Sequence, residues 1–416
     1  MTSITIWIVS LSSIALVIIR PLKLPEYIWA VVGAILLVLL GKLTPAEGFS
    51  GVSKGLDVYL FLIGMMLLAE TARQEKLFDW LAAHATRLSY GSEKRLFLLI
   101  YLVGIVVTTF LSNDATAVVL TPAVACVVKA AKVKDPLPYL YICAFVANAA
   151  SFVLPISNPA NLVINGTDMP TLLVWLGRYI VPSAVAVIST FALLFITQKS
   201  KLTGRIDSDV EIPFLGHGGR MALAGIFITV GVLITASMWG VELGMPTAIT
   251  GILTYLVVVL VARKGAREIL SHISWSVLPL VAGLFVIVEA LSKAGITRVL
   301  SDFLTETASR SATEAVWLGG LCTAFLCNLM NNLPAGLVAG NVMQVSNTPE
   351  IVKSAVLIGI DLGPNLSVTG SLATILWLLV LRREGITVGA WQFLKLGLLL
   401  MTVPLVLTLA SLFITH

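Results

Sequence analysis

The chain has 416 residues, of which 58% are hydrophobic and only 12% charged. An ordinary soluble domain carries about 25% charge, so this balance excludes a soluble enzyme, a disordered tail and a nucleic-acid binder. The net charge of +5 comes from basic residues set between apolar runs, a membrane-topology pattern rather than a polyanion-binding one. Four cysteines without paired spacing exclude a disulfide framework. The four histidines (His84, His217, His272, His416) fall outside the apolar runs, so neither a metal motif nor a cofactor site is expected. The fold class is an all-α polytopic membrane protein.

From the N-terminus, Met1 to Ile19 has no basic segment before its apolar run and no small-residue cleavage pattern after it. It reads as a first span rather than a signal peptide. Apolar runs then follow at about 25–41, 57–72, 96–128, 137–165, 173–197, 221–240, 246–262, 277–292, 315–345, 354–381 and 391–413. A full span needs about 20 residues, and two runs do not fit. Residues 96–128 break at Ser112-Asn113-Asp114, and residues 315–345 break at Asn331-Asn332-Leu333-Pro334. Each looks like two short arms around a polar tip. Both are read as re-entrant helical hairpins, about 95–131 and 315–345, with tips satisfied by protein or a cavity.

The sequence repeats itself. Gly64 to Glu70 aligns with Gly283 to Glu289, Asn113-Asp114 with Asn331-Asn332, and Asn148 to Asn161 with Asp361 to Thr374. The halves are residues 1–197 and 221–416, joined by a polar linker at 198–220. Five spans and one hairpin per half would insert the second copy upside down, giving two inverted-topology repeats. With the N-terminus outside, twenty of the 27 Lys and Arg residues then lie on the linker side; treating each hairpin as one crossing removes the bias. Positive-inside therefore favours ten spans plus two hairpins, a cytoplasmic linker, and both termini outside the inner membrane.

Polar chemistry concentrates in four segments: the two hairpin tips and a broken helix in each half. The breaks are NAASFVLPISNPAN (148–161) within about 137–165, and DLGPNLSVTGS (361–371) within about 354–381. Proline removes an N–H and clashes with the preceding turn, so these helices should be discontinuous. Freed carbonyls and half-helix N-termini at membrane depth point to a midplane substrate site. Ser112, Asn113, Asn148, Ser157, Asn158, Asn161, Asn331, Asn332, Asn365, Thr369, Gly370 and Ser371 are the candidate substrate contacts. Asp114 and Asp361 are the carboxylates near the middle of their runs, and burial would tune either to bind and release a proton. Glu70 and Glu289 are also symmetric but lie near span ends beside Arg73, Lys76 and Lys293, which suggests interfacial ion pairs. Cys322 and Cys327 share one hairpin arm and are read as packing residues, so no stable metal site is expected.

The segments FLSNDATAVVLTP (110–122), MNNLPAGLV (330–338) and above all DLGPNLSVTGSLATILWL (361–378) resemble the ArsB-type arsenite/antimonite efflux permeases of the ion transporter superfamily. The likeness runs along nearly the whole chain. It implies a secondary transporter exporting trivalent arsenic or antimony, as the neutral trihydroxide, in exchange for protons. It also implies a possible partnership with a soluble ArsA-type ATPase, and no enzymatic activity in the chain itself. The residues suit such a substrate: the four polar segments hold no Lys or Arg, and asparagine offers both donor and acceptor. The alternatives are a dicarboxylate or citrate carrier, or a sodium/proton antiporter, of the same superfamily. An intramembrane enzyme would need a nucleophile–base pair or a metal motif inside the spans, and the histidines lie outside them.

Overall fold

The computed structural model describes residues 2–262 and 265–416. Arg263 and Lys264, two of the linker-side cations counted above, lie outside the described residues. Helices dominate, as they must where lipid leaves every backbone N–H and C=O to be satisfied within its own segment. Before the linker come α1 (Thr2–Ile19), α2 (Glu26–Leu39), α3 (Pro45–Lys54), α4 (Leu56–Gln74), α5 (Leu77–Leu88) and α6 (Glu93–Leu111). They are followed by α7 (Asn113–Ala130), α8 (Leu137–Ala149), α9 (Pro159–Asn165) and α10 (Leu172–Gln198). After the linker come α11 (His217–Met238), α12 (Gly244–Ala262), α13 (Ala266–His272), α14 (Val277–Lys293), α15 (Ile296–Arg310) and α16 (Ala312–Met330). The chain closes with α17 (Asn332–Val345), α18 (Glu350–Leu362), α19 (Leu372–Arg383) and α20 (Ala390–Thr415).

Seven of these helices are long and apolar enough to cross a membrane, or nine if the bent pairs α3–α4 (46°) and α14–α15 (69°) each count as one span. Their outward faces are lined with Ile180, Ile188, Phe227, Ile249, Leu253 and Leu260, which suits contact with lipid. Three of the seven are α6, α7 and α16, the expected hairpin arms. At 18 and 19 residues they are longer than the sequence suggested, so length alone does not distinguish a re-entrant arm from a span. Four amphipathic surface helices (α3, α5, α13, α15) were not foreseen, because their polar faces dilute the hydropathy signal. Side chains set the helix starts: Thr44 and Glu47 form a capping box on α3. Ser92 accepts from Arg95 N at the start of α6, and Ser311 from Glu314 N at the start of α16.

Two crossings between the halves organise the centre. The α4 helix packs on α12, and α14 on α2. A Cβ on Gly64 would lie 2.2 Å from the Thr247 carbonyl, and one on Gly283 would lie 2.7 Å from the backbone of Ala30. The aligned glycines therefore let backbones approach where any side chain would hold them apart. The other half of the core is built from α6–α9 and α16–α19: α9 packs on α17, and α19 on α7. The linker is not a free tether. Ile206 N donates to Gly91 O (3.1 Å), Gly204 N to Glu93 Oε2 (2.7 Å), and Lys132 pairs with Asp207 (3.2 Å), seating it on the base of α6 and α7.

Candidate functional site

Each pair of arms turns on one residue in a strained conformation. Ser112 has φ 97° and ψ 160°, and Asn331 has φ 74° and ψ 155°. This region is essentially glycine-only and costs on the order of 1–3 kcal/mol per residue. Both residues still donate their N–H to the helix they end, to Thr108 O (3.1 Å) and Cys327 O (2.8 Å), and a new helix starts at once. At the first tip Asn113 Oδ1 accepts from Asp114 N (2.9 Å) and Thr108 bonds Thr116 across the turn (2.7 Å). A π-helical stretch, Thr116–Leu120, follows in α7; such bulges recur at functional sites. The second tip is tied to the break opposite it: Asn332 N donates to Gly370 O (2.9 Å) and Asn331 Nδ2 to Thr369 O (3.4 Å).

Both long helices break where the prolines predict. Between α8 and α9 the chain is irregular. Ser157 holds the break by accepting from Leu154 N (3.1 Å) and donating to Thr109 O (3.0 Å), and Asn161 Nδ2 donates to Ser151 O (2.8 Å). Between α18 and α19 a 3-10 turn, Gly363–Leu366, precedes the gap. A Cβ on Gly370 would meet Pro364 Cα at 2.5 Å, so only glycine fits there. The restarting helices are capped alike: Asn158 Oδ1 accepts from Ala160 N (3.0 Å) and Ser371 Oγ from Thr374 N (3.1 Å).

The two breaks are bonded to each other. Asn158 Nδ2 donates to Asp361 Oδ1, and Asn148 Nδ2 to Asn365 Oδ1 (3.0 Å), while Asn365 Nδ2 reaches Phe145 O (3.4 Å). Asp361 is fully buried, and its Oδ2 makes no hydrogen bond. Ser151 lies beside it but donates its hydroxyl to Asn148 O (2.8 Å). Asn148 Oδ1 and Asn161 Oδ1 are likewise buried without partners.

In front of this crossing is a cavity of about 70 Å³. Its polar lining comes from Ser112 and Asp114 at the first tip, Glu70 of α4, and His272 and Ser274 beside α13. Pro159 and Leu372 bring the first turns of both restarting half-helices to it, and Phe61, Leu62, Met65 and Val119 are among its apolar walls. Neither Lys nor Arg lines it among the described residues. It lies toward the linker face, since Glu75, at the end of α4, packs against Gly218, where the end of the linker enters α11. Glu70 is buried there, paired with Arg73 (2.8 and 2.5 Å) and Gln74 (3.0 Å).

Of the residues singled out in the sequence, the structure places Ser112 and Asp114 on the cavity. Asn113, Asn148, Ser157, Asn158, Asn161, Asn331, Asn332, Asn365, Thr369, Gly370, Ser371 and Asp361 lie in the tips and breaks and do not line it. Two sequence readings are corrected. His272, set aside because it lies outside the apolar runs, lines the cavity because α13 folds back over the end of α4. Glu289 pairs with Lys54 (2.6 Å) rather than with Lys293, which bonds Glu47 (2.6 Å). Sequence reasoning also missed Asn328. Its side chain donates to Ala324 O (2.8 Å) and Gly363 O (2.9 Å) and accepts from Ser367 (2.7 Å). An isolated Asn in an apolar arm was the available signal.

The citrate transporter (CitMHS) family matches residues 14–359. The arsenical pump membrane protein of Escherichia coli K12 is 27% identical over 421 residues, covering 96% of each chain. That of Yersinia enterocolitica is 27% identical over 368 residues, covering 84% of each. Among solved structures, the YdaH transporter of Alcanivorax borkumensis superposes with TM-score 0.55 over 91% of this chain and 87% of its own, at 14% identity. MtrF of Neisseria gonorrhoeae, described as illuminating a class of antimetabolite efflux pumps, superposes with TM-score 0.52 over 91% and 83%. The chain therefore belongs to the citrate transporter (CitMHS) family of membrane transporters, as an ArsB-type permease.

Proposed function

We propose that this protein exports trivalent arsenite and antimonite as the neutral hydroxide in exchange for protons, by alternating access across the cytoplasmic membrane. The observation that carries the reading is the cavity at the first tip, where a carboxylate, a hydroxyl and two half-helix starts converge with neither Lys nor Arg. A neutral polyhydroxy solute needs donors and acceptors, and a coupling carboxylate beside it costs no repulsion. By this measure a water needs about 10–15 Å³, so about 70 Å³ holds several water-sized groups. That suits one arsenic with three hydroxyls. Citrate would bring its carboxylates against Asp114 with neither Lys nor Arg among the described residues of the cavity wall, which argues against the second reading, a citrate carrier, that the family description favours.

Asp114 is the cavity-side coupling group in this scheme. Asp361, at the crossing of the breaks, is the second: gaining a proton there would change its bond to Asn158 and so the fit of the two halves. The halves, 1–197 and 221–416, are taken as inverted repeats with re-entrant hairpins; the matching order of ten helices on each side of the linker, among the described residues, supports this. The linker then faces the cytoplasm, both termini face outside, and an ArsA-type ATPase would dock on the linker face. The test is arsenite accumulation in inverted vesicles under an imposed gradient, acid in the lumen. Accumulation indifferent to the gradient, or citrate moving instead, would overturn the reading.

A further inference from the structure

Resting on that reading, we propose that His272 is the group that takes the proton from Asp114 on the linker face and hands it to bulk water, with Glu70 and Arg73 as fixed charges beside the path. Three features of its position support this. His272 lines the same cavity as Asp114 yet is itself exposed, so it touches both compartments a departing proton must connect. Its Nδ1 lies 2.8 Å from Glu268 O, one turn back in α13, which fixes the N–H on Nδ1 and leaves Nε2 as the proton acceptor. Its backbone is held in place, because Ile269 and Ile273 on either side are buried against Leu67 and Tyr255.

Of the surrounding charges, Glu70 and Arg73 are paired with each other. Glu70 is bound by Arg73 and Gln74, and the Gln74 amide nitrogen lies 3.4 Å from His272 Nδ1. Asp79 of α5 faces Arg73, Tyr255 of α12 packs on α13, and Glu268 sits one turn before the ring. The nearby turns of α9, α14 and α19 bring no ionisable side chain. Glu70 is occupied by its ion pair, which leaves the exposed imidazole of His272 as the other basic side chain among the described residues that line the cavity. The step balances: the Asp114 O–H breaks, cavity water carries the proton, an N–H forms at Nε2, and that N–H is lost to the cytoplasmic side as the ring returns to neutral.

The test compares His272→Gln and His272→Arg with the wild type in inverted vesicles at low buffer concentration. Proton-driven arsenite uptake is read against arsenite exchange, which moves no net proton. Both variants should lower the ratio of uptake to exchange by about tenfold or more, and imidazole buffer on the cytoplasmic face should restore it in the Gln variant. A structural or purely electrostatic role would leave His272→Arg near wild type and neither variant rescued by imidazole; either result overturns the proposal. A wild-type protein whose uptake ignores the pH gradient would instead refute the proton-coupled function and the relay with it.

Discussion

Asn158 holds two things with one side chain, and replacing it separates them. Its Oδ1 caps α9 and its Nδ2 bonds the buried Asp361 carboxylate. Removing an Asn cap costs about 0.5–2 kcal/mol, and stranding a buried acceptor about 1–3 kcal/mol. The second figure applies in full here, because Asp361 Oδ2 is already unpartnered and the residue is fully buried. Asn158→Ala should therefore destabilise the protein by about 1.5–5 kcal/mol. Asn158→Ser keeps a cap and loses only the reach to Asp361, so it should cost about 1–3 kcal/mol. The two contributions separate in a double-mutant cycle with Asp361→Leu, in which Asn158→Ala should lose only its capping share. The assay is SDS-induced unfolding of detergent-solubilised protein, compared across the four members of the cycle. Equal costs for Ala and Ser would show that the cap contributes nothing, and strict additivity with Asp361→Leu would show that the crossing bond does not hold the breaks together.

Asp114→Asn is isosteric and should leave the protein folded and able to bind arsenite, measured by equilibrium binding, while abolishing accumulation driven by a pH gradient in vesicles. If the linker faces the cytoplasm, a cysteine at Ser208 should resist an impermeant thiol reagent in intact cells, and cysteines at Pro170 and Glu242 should react; labelling of Ser208 would invert the topology. Asp209 N–H and Lys132 hold the Asp207 carboxyl below its ordinary 3.8. A depressed carboxyl stabilises above its unfolded value and loses that contribution as pH falls through its folded one. Linker docking, followed by hydrogen exchange at Ile206 and Asp207, should thus be level above about pH 4 and loosen below it.

The parts of the fold that were legible are those with a local cause. Pro155, Pro159 and Pro364 mark helix breaks because proline cannot continue a helix, and both breaks fall where those residues stand. The polar tips were legible for the same reason, although the left-handed turn falls on Ser112 and Asn331 themselves rather than on a glycine. Tertiary placement was not legible. His272 reaches the cavity through the docking of α13 on α4, a contact between elements about 200 residues apart that no local pattern encodes. The same applies to the asparagines. Composition marked Asn148, Asn158 and Asn365 as polar at membrane depth, but only the packing shows that they bond across the two halves.

The two tips share one strained turn, yet only the first meets the cavity, and the difference lies in what ties each tip down. The second is bonded to Thr369 and Gly370. Its second arm is latched as well, since Asn341 Nδ2 donates to Ser292 Oγ (3.2 Å), which bonds Thr297 (2.8 Å). Ser292 sits at the far end of α14 from Val277, which lines the cavity, so the latch lies at the face opposite the opening. If the protein works by alternating access, as proposed, its two states lie within a few kcal/mol of each other, and one latch of ordinary strength should bias the balance visibly. Asn341→Ala removes a hydrogen bond worth about 0.5–1.5 kcal/mol, a change of roughly 2- to 12-fold in the equilibrium. The readout is the rate at which an impermeant reagent labels a cysteine at Leu333 from the face opposite the linker, with Cys126 and Cys322, the exposed native thiols, replaced. Labelling should speed up by that factor in Asn341→Ala and in Ser292→Ala alike. It should not speed up further in the double variant, because both changes remove the same bond. Unchanged labelling in all three would mean that the far face is held shut by the packing of α15 and α17, not by this latch.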